Sequence, residues 1–199
     1  MIRDVLKKVE RFGGIVLIEY SSLDHPEVVF REVLEFWRKM GIRPMIVDIG
    51  ETLNIFVKQL EFEGETVGID DIPVIKELGK LRLGRVIGEV SEIEDFEYHM
   101  AKYAQVARKV PKESRKHTIV LGMEKFVFNF LDDPPKLERY FERINRRYLK
   151  SEDLRDVIFL NVSVASDYLT KSLEQDSDYV LRLKRDTLEV VKSPWGWVE

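Results

Sequence analysis

Short apolar runs rich in β-branched residues alternate along this chain with amphipathic stretches of helical period, and that alternation confines it to the α/β class. IVLIEY (15–20) is apolar without the period-two break of a half-solvated strand. It reads as a strand buried on both faces, as parallel sheets require. Pro26 can open a helix, and the PEVVFREVLEFWRKM that follows places Val29, Val33, Phe36, Trp37 and Met40 at helical spacing before Gly41 stops it. RPMIVDI (43–49) is a second strand of the buried type. Strand, loop, helix and strand thus succeed one another over about 35 residues, the size of a βαβ unit with its expected right-handed crossover.

The pattern continues to the end of the chain. Residues 2–12 predict a short amphipathic helix, with Ile2, Val5, Leu6 and Val9 on one face, ended by Gly13-Gly14. Residues 52–62 predict another helix, and IPVI (72–75) and GRVIGEV (84–90) short strands between glycine turns. A helix over 92–109 presents Ile93, Phe96, Met100, Tyr103 and Val106, and HTIVLG (117–122) is a further buried strand. Asp133-Pro134-Pro135 caps a long helix to about Lys150, striped by Leu137, Tyr140, Phe141, Ile144 and Tyr148. VIFLNV (157–162) is a strand, 166–175 a short helix, and 178–194 two strands turning near Arg185-Asp186, an antiparallel edge hairpin. No repeat or low-complexity linker divides the 199 residues, so one domain over 1–199 is expected.

Composition removes several classes of chemistry. There is no cysteine, which excludes disulfides, thiolate metal sites and a cysteine nucleophile. His25, His99 and His117 are the three histidines, too few for a histidine-rich metal centre. Lys and Arg number 32 against 36 Asp and Glu, so a bulk basic field for nucleic acid is absent. No apolar stretch approaches the roughly 18 residues of a membrane span, and the charged N-terminus lacks a signal-peptide core. A cytoplasmic location without a membrane partner is expected. High charge of both signs with few Asn and Gln matches a thermophile's composition.

In open α/β sheets ligands sit beyond the carboxyl ends of the strands. After the first strand come Glu19-Tyr20-Ser21-Ser22-Leu23-Asp24-His25-Pro26. A phosphate-binding loop there needs glycines for backbone approach, a Lys, and a Ser or Thr for Mg²⁺. Residues 19–28 contain no Gly, Lys or Thr. Asp24 repels a phosphate, and Pro26 removes a donor at the helix start. After the second strand come Asp48 and Glu51, and after HTIVL come Gly122, Met123 and Glu124.

The order GGIVLIE (13–19), long helix, RPMIVDI, helix with HTIVLG, VIFLNV and SDYVLRLKRDTLEVVKSP (177–194) resembles the RecA/KaiC family of P-loop ATPase domains. A closer resemblance is to KaiC-like proteins of hyperthermophilic archaea (Thermococcales), the domain-of-unknown-function 257 family. That family's first strand is likewise followed by a non-glycine loop, and its later strand reads IVLG-x-EK, as in Ile119 to Lys125. The resemblance implies a RecA/KaiC-like P-loop NTPase fold: a mostly parallel central sheet flanked by helices, with a C-terminal antiparallel hairpin. It also sets Ser21, Ser22, Asp24, His25, Pro26 and Glu27 at degenerate phosphate-loop positions, and Gly122 where the working ATPases carry a metal-ordering Asp.

Other groups have plain readings beside sharper ones. Ser21, Ser22, Asp24 and His25 contain the residue types of a catalytic triad, but triad members converge from separate elements, so turn and cap chemistry is expected. Glu19, Asp48, Glu51 and Glu124 lie at strand ends as candidate metal ligands, against the reading of solvated carboxylates. His99 and His117 read as structural. Lys136, Arg139, Arg143, Arg146, Arg147 and Lys150 read as a solvated face beside Glu138 and Glu142, not as a nucleic-acid surface. Trp195 and Trp197 are expected to pack on the domain or on a partner. The function taken first is a non-catalytic module without cofactor that binds a protein or peptide or assembles as a homo-oligomer. The alternatives are a nucleotide-binding protein with an atypical loop and a carboxylate- and metal-dependent hydrolase.

Overall fold

The computed structural model describes residues 1–91, 95–127, 133, 135–136, 139 and 154–194. In chain order the described elements are α1 (Ile2–Phe12), β1 (Gly14–Tyr20), α2 (Pro26–Lys39), β2 (Met45–Ile49), α3 (Thr52–Phe62), β3 (Pro73–Glu77), β4 (Arg85–Val90) and α4 (Phe96–Ala107). They continue with α5 (Lys112–Arg115), β5 (His117–Leu121), α6 (Met123–Val127), β6 (Arg155–Asn161), α7 (Asp167–Asp176), β7 (Tyr179–Lys184) and β8 (Thr187–Lys192). The helix expected over 133–150 falls almost wholly outside the described residues; its Asp133 cap does not, since Asp133 Oδ1 accepts from the Lys136 N–H at 3.1 Å. Trp195 and Trp197 lie outside them as well.

The strands form one eight-stranded sheet in the order β4-β3-β2-β5-β6-β1-β7-β8. Every pairing is parallel except that of β7 with β8. The first two strands of the chain therefore share a sheet without being neighbours, because β5 and β6 lie between them. The predicted closing hairpin turns at Arg185-Asp186 and forms the sheet's edge.

Both faces of the sheet are covered, which explains the unbroken apolar runs. Val16, Ile18 and Tyr20 of β1 pack with α1, α2 and α3 on one side. Ile15 and Leu17 pack with residues of α4, α6 and α7 on the other. Trp37 anchors the first layer; it is fully buried, and its indole N–H donates to Glu10 Oε1 at 2.7 Å. The same Glu10 carboxylate holds His117 Nε2 at 3.1 Å and Arg155 Nε at 3.4 Å, a structural place for His117. Met40, expected in the buried stripe of α2, is 51% exposed, because it caps the helix beyond its last packed turn. Gly13 ends α1 at φ 74°, a left-handed conformation that glycine adopts without a Cβ clash, and its N–H bonds to Val9 O at 2.8 Å.

The closing hairpin also finishes α7. Lys192 Nζ donates to the carbonyls of Glu174, Gln175 and Ser177 at 2.8, 2.8 and 2.7 Å. A cation at the helix C-terminus satisfies carbonyls that have no intrahelical donor and complements the dipole. Among the described residues no helix is long and apolar enough to cross a membrane.

Candidate functional site at the carboxyl edge of the sheet

The parallel strands deliver the ends of β1, β2, β5 and β6 to one edge. A cavity of about 280 Å³ opens there, lined by residues 20–27 after β1, the start of α3, Glu124 and Lys125 of α6, and Asn161 of β6. Its volume lies just below the roughly 300–1,000 Å³ of ordinary small-molecule pockets.

The loop after β1 uses its own backbone donors. Ser21 N–H donates to Asp24 Oδ2 at 2.6 Å, Ser22 N–H to Ser163 Oγ at 3.2 Å, Leu23 N–H to Ser21 Oγ at 3.3 Å, and Asp24 N–H to Ser21 O at 3.1 Å. The other Asp24 oxygen accepts from the Arg185 N–H at 2.7 Å, which ties the loop to the β7–β8 turn. Burial raises the Asp24 pKa, but the Ser21 and Arg185 donors and the nearby His25 outweigh it and hold the carboxyl below its ordinary value. Ser22, Asn161 and Ser163 join in a polar cluster across the loop base. Tyr20 is buried edge-on to Phe56 at 6.0 Å. Leu23 instead lies 89% exposed at the rim.

His25 precedes α2 without capping it through its side chain. Its Nδ1 lies 2.8 Å from Glu27 Oε1, so the imidazole serves the buried carboxylate and neither loop serine. Glu27 sits in the first helical turn, where the dipole favours an anion. Pro26 occupies the first helical position. The hydrogen bond and charge of Glu27, with smaller contributions from Glu63 and Asp186, outweigh the small cost of burial and raise the His25 pKa above 6.5. His25, Glu27 and Glu63 bring three donor atoms within 4.8 Å of one another, the one such group among the described residues.

The strand-end carboxylates do not converge as that group does. Glu19 is fully buried and reaches Arg182 across β1 and β7 at 2.8 Å. Asp48 forms a buried ion pair with Lys76 at 2.9 Å, and its other oxygen accepts from the Leu53 N–H at 2.9 Å, fixing the start of α3. Glu51 has φ 64° and turns its carboxylate onto the Lys80 and Leu81 N–H groups, 2.6 and 3.1 Å away. Glu124 is 3% exposed and, like Glu19 Oε1, its Oε2 is buried with no hydrogen-bond partner. Burial raises its pKa against the backbone donors of Glu124 and Asn161 and the charge of Lys125.

Gly122 has a steric reason to be glycine. Its φ is 82°, and a Cβ there would collide with Ile49 O and Thr52 Oγ1 of the β2–α3 turn. An aspartate side chain does not fit at that position in this backbone. Lys76 is the feature that sequence reasoning missed: it follows the IPVI run, yet lies fully buried in β3. His99, read as structural, is buried on Glu77 at 3.3 Å and against the Phe126 ring.

A mostly parallel, helix-flanked sheet with this strand order and a closing hairpin defines a RecA-like, KaiC-type fold, and solved structures of the same fold match the chain over most of its length. They include a Pyrococcus horikoshii OT3 protein solved in a structural study (TM-score 0.75, 21% identity, 96% of this chain and 92% of that one). Two others are the flagellar accessory protein FlaH from Methanocaldococcus jannaschii (TM-score 0.53, 13% identity, 97% and 86%) and a KaiC-like protein from Pyrococcus horikoshii OT3 (TM-score 0.53, 10% identity, 92% and 80%). The chain belongs to the family described as "Pyrococcus protein of unknown function, DUF257", whose model matches residues 4–194. No curated protein matches its sequence.

Two outcomes follow from the site's electrostatics. Lys76→Met leaves Asp48 buried without its cation and should lower the unfolding free energy by about 3–5 kcal/mol in chemical denaturation. By NMR titration His25 should show a pKa above 6.5, returning toward it in Glu27→Gln. Because the folded pKa is raised, this pair's stabilisation is complete below pH 6.5 and is lost as pH rises through the folded value.

Proposed function

We propose that this chain is a single-domain, non-catalytic RecA/KaiC-type module, cytoplasmic, that acts by binding a protein or peptide and has given up nucleotide hydrolysis. The observation that carries the reading is the loop after β1. A phosphate cradle works by presenting uncommitted N–H groups to an anion. Here the four donors from Ser21 to Asp24 are taken by the loop's own acceptors and by Ser163. Asp24 supplies a fixed negative charge within the loop, and Glu27 supplies a second at the helix N-terminus. A triphosphate entering here would meet two carboxylates at close range, and each loop donor it used would have to leave an existing partner.

The absence of a side chain at residue 122 supports the same reading, since the metal-ordering Asp of the ATPases has no room there. The hydrolase alternative loses support from the commitments of Asp48 to Lys76 and of Glu51 to backbone donors. Function on a shared scaffold depends on the site it carries. What this site carries is an apolar rim at Leu23 and Ile55, 89% and 48% exposed, around a small cavity, which suits a side chain of another protein better than a nucleotide.

Calorimetric titration of the full chain with ATP and Mg²⁺ tests the proposal. No binding heat and no hydrolysis are expected. Micromolar affinity would overturn it in favour of the atypical nucleotide-binding loop.

A further inference from the structure

We propose that the cavity at the carboxyl edge is a socket for the side chain of a lysine presented by a partner protein, with Glu124 as its counter-ion. The inference rests on the protein-binding reading above and names the chemistry of the contact.

Glu124 is a buried carboxylate on the cavity wall whose Oε2 has no partner. An unsatisfied buried oxygen is costly, and the group that relieves it best is a cation with N–H donors. The raised pKa agrees with this burial, because it reflects desolvation that an entering cation would offset. Glu27 is a second buried carboxylate on the same wall, and both charges are felt at Tyr20.

The remaining charges around the cavity are already engaged. Asp24 is held by the Ser21 and Arg185 N–H groups, and His25 by Glu27. Lys125, the neighbouring cation, donates to Gly50 O at 2.8 Å. Among the described residues that line this cavity, Glu124 is the one with a buried side-chain oxygen lacking a partner.

The walls and rim choose among cations. Tyr20, Phe56 and Ile55 are apolar surface against which a methylene stem can lie, as lysine stems commonly do. A single unpartnered oxygen suits an ammonium, which is a point charge with rotatable donors. A guanidinium fork seeks both oxygens of a carboxylate. Leu23 and Ile55, exposed at the mouth, are contact area for the backbone and neighbours of that lysine, which a free diamine would leave unused.

The experiment titrates the full chain with Nα-acetyl-lysine-N-methylamide, its Nε-acetylated form, and 1,4-diaminobutane, followed residue by residue by NMR. Saturable shifts at Tyr20, Ile55 and Glu124 are expected for the lysine probe. Affinity should fall by at least about tenfold for the Nε-acetylated form, which lacks the charge, and in Glu124→Gln. Diaminobutane should bind more weakly than the lysine probe. Equal affinity for the charged and acetylated forms overturns the proposal, as does no shift with any probe. The acetylated arm stands even if Glu124→Gln fails to fold. Tighter binding of diaminobutane overturns the assignment to a protein lysine. A parallel ATP–Mg²⁺ titration separates the two readings: silence from both lysine and ATP removes the lysine socket and leaves the non-catalytic reading standing, whereas ATP-dependent shifts in residues 21–27 remove that reading itself.

Discussion

The two oxygens of Asp24 join parts of the chain that are far apart in sequence. One holds the Ser21 N–H within the loop after β1, and the other holds the Arg185 N–H of the closing hairpin. Loops that connect a central strand to a helix expose backbone donors, and those donors must find acceptors. In a phosphate-binding protein the ligand supplies them. In this chain a carboxylate three residues along supplies one, and serine oxygens and a backbone carbonyl supply others. The N–H groups of Ser21 to Asp24 are therefore matched by acceptors of the chain itself.

The rest of the carboxyl edge follows the same economy. Asp48 is neutralised by Lys76 and caps α3. Glu51 folds back on the Lys80 and Leu81 amides, and Glu19 lies on Arg182. Gly122 lets the β5–α6 turn press against the β2–α3 turn so closely that no side chain can stand between them. The polar groups at these strand ends hold neighbouring strands, turns and helices together. Glu19 and Glu124 each keep one buried oxygen without a partner, and of the two it is Glu124 that lies on the cavity wall.

Much of this was legible from residue order. Buried strands announce themselves by unbroken apolar runs, and α1, α2 and the closing hairpin were read correctly because their signals are local: Gly13, Pro26 and the Arg185-Asp186 turn. The strand order was not readable from adjacency along the chain, since β5 and β6 enter between β1 and β2. The charge of Asp24 was legible in the loop, but its bond to Arg185 spans 161 residues and has no local signature. Lys76 was hidden for the opposite reason. A charged residue at the end of an apolar run normally marks the strand's exit to solvent, whereas here Asp48 on the adjacent strand, its partner in the ladder, allows it to stay buried.

The most direct test of the closed loop is an NMR pH titration that follows the Asp24 carboxyl carbon together with the Ser21 and Arg185 amide protons. The account predicts a carboxyl pKa below 3.8, with both amide resonances shifting through the same midpoint as their acceptor is protonated. An Asp24 pKa at or above that value, with the two amides indifferent to it, would contradict the claim that this carboxylate occupies the loop's donors.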